Sequence, residues 1–87
     1  MVVAFLNAER FLDEAIRGVI GQTRQDWELL LVDDGSSDAS AGIARGYAER
    51  DRERVRYLEH PGHRNLGPSA ARELGLRTAR GEYIALL

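Results

Sequence analysis

The sequence predicts an α/β fold built on a parallel sheet, and three observations carry that reading. Short apolar runs alternate with longer amphipathic segments in the order β-α-β-α-β-α-β, the pattern of a layered fold with crossover helices. The run Leu29-Leu30-Leu31-Val32 is apolar without alternation, which suits a strand covered on both faces. It leads into Asp33-Asp34-Gly35-Ser36-Ser37-Asp38, the most unusual stretch of the chain. In such sheets ligands sit outside the carboxyl ends of strands, where this stretch falls.

Each element has its own signal. Met1–Leu6 is short, apolar and contains two Val, so it reads as a buried strand. Asn7 is placed to cap a first helix whose early acids, Glu9, Asp13 and Glu14, suit the positive end of the helix dipole. Phe11, Leu12, Ala15, Ile16, Val19 and Ile20 form one helical face, and Gly21 or Gln22-Thr23 ends it. Trp27–Val32 is the second strand. Ser36 or Ser37 caps a second helix over Asp38–Arg50, with Ile43, Ala44, Tyr47 and Ala48 inward. Glu49–Arg54 is all charged, a solvated helix end and turn. Val55–Leu58 is a third strand, and residues 60–67 form a loop by composition. Pro68 opens a third helix with Ala70, Ala71, Leu74 and Ala79 inward and Gly81 as its stop. Tyr83–Leu87 is the fourth strand.

Composition narrows the function. The chain has 87 residues, room for one small domain or a piece of a larger one. It carries 12 basic residues, all Arg, against 14 acidic ones, a net charge of −2, so the positive excess of a nucleic-acid-binding domain is missing. No Cys is present, which excludes disulfides, thiolate metal sites and a Cys nucleophile. The longest apolar run, Met1–Leu6, has six residues, far short of the roughly 20 a membrane helix needs. No basic stretch precedes an apolar one at the N-terminus, as a signal peptide would require. Both ends read as cut, because the chain opens in an apolar run and closes inside a strand. A natural domain usually ends in a polar tail, so the expectation is an N-terminal fragment of a longer protein.

The candidate chemistry lies after the strands. A carboxylate leaving a buried strand at Asp33 or Asp34 can accept hydrogen bonds from a base or ribose. The competing reading is local, since Asp, Ser and Gly are common in turns and caps; Asp38 fits a cap better than Asp34 does. Several alternatives fail on residues. A dinucleotide fingerprint needs glycines after the first strand, where Leu6-Asn7-Ala8-Glu9-Arg10 has none. A phosphate loop and a signalling receiver domain both need a Lys, and the chain has none. His60 and His63 are spaced for a metal, but only Glu59 lies near them, so they read as a polar loop. Arg64 and Arg72 flank a loop near the ligand edge, where either could approach a diphosphate. Arg50, Arg52, Arg54 and Arg56 alternate with acids and read as a solvated edge.

Taken in order, these segments resemble a known family. Val3-Ala4-Phe5-Leu6-Asn7-Ala8-Glu9-Arg10-Phe11-Leu12, Gln22-Thr23 before Trp27-Glu28-Leu29, and Val32-Asp33-Asp34-Gly35-Ser36-Ser37-Asp38 are similar to the start of a family 2 glycosyltransferase. Asn65-x-Gly67, Ala71-Arg72-x-x-Gly75 and Arg80-Gly81-Glu82-Tyr83-Ile84 continue the pattern. The resemblance covers nearly the whole chain.

The resemblance implies a GT-A, Rossmann-like fold, of which residues 1–87 would be the N-terminal nucleotide-sugar-binding part. It implies a four-stranded parallel sheet in the order 3-2-1-4 with three helices. Right-handed crossovers then place the first two helices on one face and the third on the other. The implied activity is inverting transfer of a sugar from a nucleoside-diphosphate sugar, a UDP-sugar in many members, to a saccharide, lipid or protein acceptor. The implied substrate-binding residues are Ala4, Phe5, Leu6 and Asn7 at the first strand's end, Asp33 and Asp34, and Asn65 and Arg72. Three positions depart from the family pattern. The first strand's end lacks a proline, its aromatic is displaced by one place, and Glu73 stands where Asn often follows the motif Arg.

The implied cofactor is a divalent metal, Mg or Mn, on the diphosphate. Its acidic motif comes after the fourth strand, and the catalytic base and acceptor site follow, all beyond Leu87. Because a diphosphate leaves poorly until a metal neutralises it, no turnover is expected from these 87 residues alone. The expected location is the cytoplasm, with membrane association supplied by later parts. The alternative from another class is a non-catalytic nucleotide-binding or assembly module. The exposed edge of strand four is an expected site of self-association.

Overall fold

The computed structural model describes residues 2–21, 28–78 and 84–86. The elements are β1 (Val2–Phe5), α1 (Leu12–Ile20), β2 (Leu29–Asp33), α2 (Ser40–Arg50), β3 (Val55–Glu59), a 3-10 turn (Pro61–His63), α3 (Pro68–Thr78) and β4 (Ile84–Leu86). The four strands pair in parallel in the order β3-β2-β1-β4, as the resemblance implied. Phe5, Asp33 and Glu59 are register partners, so they form one row at the carboxyl rim of β1, β2 and β3.

Every residue of β2 is buried, as its unbroken apolar run predicts. Because side chains alternate along a strand, β2 feeds two cores. Leu29 and Leu31 join Val3, Phe5 and Val55 under α1 and α2, where Leu12, Ile16, Val19 and Ala44 close the layer. Leu30 and Val32 join Val2, Ala4 and Ala71 under α3. The first two helices therefore share one face and the third takes the other, as right-handed crossovers require. Gly75 lets α3 lie close on β1: a Cβ there would stand 2.3 Å from Val2 Cγ1.

Strand β1 ends at Phe5 and β2 at Asp33, one residue from the expected Leu6 and Val32, and three further boundaries differ from the sequence expectation. Asn7 does not cap α1. The helix starts at Leu12, after a turn in which the N–H groups of Phe11 and Leu12 donate to the Ala8 carbonyl. Phe11 thus lies ahead of the helix and is 62% exposed, while Leu12, Ile16 and Val19 form a narrower buried stripe. Neither Ser36 nor Ser37 caps α2, which starts at Ser40 behind Ala39; the loop before it is held by other side chains, described below. Strand β3 runs one residue further than expected, to Glu59, because Asp33 pairs with it. The readings of Trp27, Ala79, Gly81 and Tyr83 fall outside the described residues. Among the described residues no helix is long and apolar enough to cross a membrane.

Candidate functional site

The rim after β1 and β2 is a reciprocal brace. From the first strand's exit, the N–H groups of Asn7, Ala8 and Glu9 donate to Ser36 Oγ (2.9 Å), Ser40 Oγ (2.8 Å) and Asp38 Oδ2 (3.2 Å). From the second strand's exit, the N–H groups of Ser37 and Asp38 donate to Asn7 Oδ1 (2.8 and 3.3 Å), and that of Ala39 to Glu9 Oε2 (3.2 Å). Asn7 reaches this geometry with a left-handed φ of 48°, which Asn tolerates better than most residues. The N–H groups of Ser36 and Ser40 donate within the loop, to Asp33 Oδ1 and Asp38 Oδ1. Each amide from Ser36 to Ser40 therefore has an acceptor. A free helix N-terminus is a natural anion site; here the amides of the loop leading into α2 are taken up by side chains as far as Ser40.

The two adjacent acids point to opposite faces, as strand alternation dictates. Asp33 is fully buried. Its Oδ1 accepts from Ser36 N–H at 2.8 Å and its Oδ2 from the Tyr57 hydroxyl at 2.8 Å. Asp34, 2% exposed, turns toward the α3 side. Its Oδ1 accepts from the N–H groups of Leu66 (2.9 Å) and Gly67 (3.2 Å), and its own N–H donates to the Phe5 carbonyl. No described residue hydrogen-bonds its Oδ2. His60, 6% exposed, has its Nε2 3.6 Å from Asp34 Oδ1, and that nitrogen is buried without a hydrogen-bond partner among the described residues. Gly35 makes the crossing possible. Its φ is +81°, and a Cβ would lie 2.7 Å from Asn65 N and 2.8 Å from Arg64 C.

The other expected site residues divide by burial. The Ala4 side chain packs in the α3-side core and Phe5 in the α1/α2-side core, so neither side chain is open to a ligand. Leu6 and Asn7 are exposed at the rim. Asn65 is exposed and its Oδ1 accepts from Gly67 N–H at 3.2 Å, which stiffens the segment that grips Asp34. Arg64 is exposed in the same segment and Arg72 on α3.

A second cluster, on the α1/α2 side, joins Asp33, Glu59 and His63 through Tyr57, which the sequence reading leaves out. The Tyr57 hydroxyl lies 2.8 Å from both Asp33 Oδ2 and Glu59 Oε2, and its one proton serves one of them at a time. Burial first, then the two carboxylates, push the phenol pKa up. His63 Nδ1 lies 2.6 Å from Glu59 Oε2 and its Nε2 2.8 Å from the Ser36 carbonyl oxygen. The bond from Tyr57, followed by that from His63, holds the Glu59 pKa below the usual carboxylate range. Alternation along β3, placing Val55, Tyr57 and Glu59 on one face, was the sequence signal for this cluster.

Asp33, Glu59 and His63 bring ligand atoms within 4.8 Å of one another. They do not fit a divalent ion. A metal ligand needs a ring lone pair, whereas both His63 nitrogens face acceptors and must carry protons. The implied metal has no open carboxylate set among the described residues.

Comparison with known proteins agrees with this geometry. The model of Glycosyl transferase family 2 matches residues 1–87. The uncharacterized glycosyltransferase EpsJ of Bacillus subtilis is 40% identical over 87 residues, covering 100% of this chain and 24% of that protein. The cholesterol galactosyltransferase of Borreliella burgdorferi is 37% identical over 84 residues, 97% of this chain and 22% of that protein. The chain thus spans about a quarter of the length of these relatives. A mannosyltransferase, PcManGT from Pyrobaculum calidifontis, solved in complex with GDP-Man and Mn2+, shares the fold with a TM-score of 0.73 at 22% identity, over 95% of this chain and 25% of that one. With the parallel order β3-β2-β1-β4, the braced Asp-Asp-Gly-Ser rim and a family match from end to end, the chain belongs to glycosyl transferase family 2.

Proposed function

We propose that residues 1–87 are the nucleotide-binding part of an inverting glycosyltransferase that uses a nucleoside-diphosphate sugar, of the UDP type, and that Asp34 receives the nucleotide. The observation that carries this is the division of labour on one carboxylate. Oδ1 is fixed by two backbone amides while no described residue occupies Oδ2. A held carboxylate with an open oxygen suits a base-edge N–H or a ribose hydroxyl, both donors. The occupied amides of Ser36 to Ser40 argue against diphosphate binding along the loop before α2. The relative named for galactosyl transfer supports sugar transfer, and the neighbouring structure solved with GDP-Man supports a sugar nucleotide as the donor class.

In this reading the diphosphate and its Mg or Mn ion are held by residues of the longer protein, and the 87-residue chain binds nucleotide without turnover. The acceptor, a saccharide, lipid or protein, and the cytoplasmic or membrane-associated setting also belong to the longer protein. UDP-glucose and GDP-mannose titrated into the chain, followed by calorimetry, separate the bases. Asp34→Ala is expected to weaken binding of the preferred one by about tenfold or more. Unchanged affinity in a folded Asp34→Ala variant would reduce Asp34 to a turn residue.

The same chain is expected to self-associate. Strand β4 pairs only with β1 in the described sheet, and an unpaired parallel edge recruits another chain. Light scattering at micromolar concentration is expected to give a mass above that of the monomer, and a clean monomer would refute it.

A further inference from the structure

We propose that His63 is a positioning residue of the nucleotide site: donating from both ring nitrogens, it clips the acidic loop after β2 to the end of β3 and so fixes Asp34 in its binding geometry. The proposal rests on the reading of Asp34 as the nucleotide ligand.

The geometry starts from the two acceptors. Nε2 meets a carbonyl oxygen, Ser36 O, at 2.8 Å, and Nδ1 meets the Glu59 carboxylate at 2.6 Å. Neither oxygen carries a proton to give, so the ring must supply both. Only the imidazolium has two N–H groups. Ser36 stands two residues after Asp34, and Glu59 ends β3. His63 also begins the segment whose Leu66 and Gly67 amides hold Asp34 Oδ1. One ring therefore ties both sides of the Asp34 cradle together. The residue holds a left-handed φ of 55°, a conformation that costs free energy in a non-glycine residue and persists where surrounding contacts fix it.

The charged and titratable groups facing the ring are Glu59 on β3, Asp33 at the end of β2 (4.0 Å), Tyr57 bridging these two acids, and Arg45 on α2, which pairs with Glu59 at 3.4 Å. The net environment favours the cation. The Ser36 carbonyl first, then Glu59, raise the His63 pKa above its ordinary value of 6.5. A raised folded-state pKa means that the stabilisation is complete below the unfolded value and is lost as pH rises through the folded one. Neutral His63 keeps one N–H and turns a lone pair toward an oxygen, so the clip opens on the alkaline side.

The test uses UDP-glucose, whose diphosphate diester does not titrate near neutrality. Its affinity for the chain is expected to fall by about threefold to tenfold between about pH 6 and about pH 8.5. The His63 ring, followed by NMR without nucleotide, is expected to titrate at the same midpoint, above that of a free histidine. His63→Asn, which tolerates the left-handed backbone, is expected to bind at the weakened level with no slope across this range. Glu59→Gln is expected to lower the ring's midpoint, and it serves if His63→Asn does not fold. Binding that is flat with pH in the unmodified chain, or a ring that titrates at its ordinary value, overturns the positioning role. Absence of UDP-glucose binding at every pH refutes the nucleotide reading itself, a separate result from binding that ignores His63.

Discussion

Replacing Gly35 with alanine is expected to lower the unfolding free energy by about 2–4 kcal/mol. Two costs combine. The residue holds φ +81°, where an L side chain meets its own carbonyl and loses about 1–2 kcal/mol. The added methyl would also stand 2.7 Å from Asn65 N, 2.8 Å from Arg64 C and 3.0 Å from Arg64 O. These are backbone atoms, so a side-chain rotation cannot relieve the contact. Gly62 separates the two costs. Its φ is +74°, but a Cβ there meets only the Arg64 side chain, at 3.8 Å. Urea denaturation of both variants is expected to show Gly62→Ala losing only the conformational share. If the two losses were equal, the 64–65 segment would yield freely, and the close packing under Gly35 would contribute nothing.

The same contact has a consequence for binding. Moving Arg64 and Asn65 shifts Leu66 and Gly67, whose amides hold Asp34 Oδ1. Gly35→Ala is therefore expected to weaken nucleotide binding even in the fraction that stays folded. That coupling explains a glycine between the second acid and the serines: the backbone of the 64–67 segment passes where a side chain would be.

The fold was legible because its signals are local and redundant. The unbroken run from Leu29 to Val32 required two covered faces, and both cores are there. Pro68 marked the start of α3, and the observed helix begins on it. The site was legible only as a stretch of chain. Asp33 and Asp34 stand at a strand's carboxyl end as expected, and alternation sends them to opposite faces, but their partners follow only from the register of β2 on β3 and from the path of the 64–67 segment. Asn7 shows why a cap is not legible from local sequence. Its amide accepts N–H groups 30 and 31 residues away, and no local pattern distinguishes that from capping the next helix. His60 and His63 looked like an undirected polar loop because the turn between them, through Gly62 and the left-handed His63, decides which ring meets which acid. Ala4 and Phe5 show the reverse. The family pattern marks the end of β1 as a binding segment, yet strand alternation sends these two side chains into the two cores.

Leu31→Ala is expected to cost about 2–5 kcal/mol, and more than Leu30→Ala. Both side chains are fully buried in the central part of β2. They differ in what surrounds the hole. Leu31 lies between Val3 and Tyr57 in register, beneath a layer in which α1 and α2 both close down on the sheet. The Tyr47 hydroxyl donates to Asp13, tying those two helices together, so the walls cannot easily collapse on the cavity. Among the described residues Leu30 faces α3 alone among the helices. That core has five buried members among the described residues, against ten on the other face, and a single helix can settle toward the sheet. The cost of a large-to-small change rises with the volume that stays empty. Thermal and urea melts at low protein concentration measure the difference. An equal loss for Leu30→Ala would mean that the α3 face is closed as firmly as the other. A Leu30→Ala loss that grows with protein concentration would show that a second copy supplies the closure.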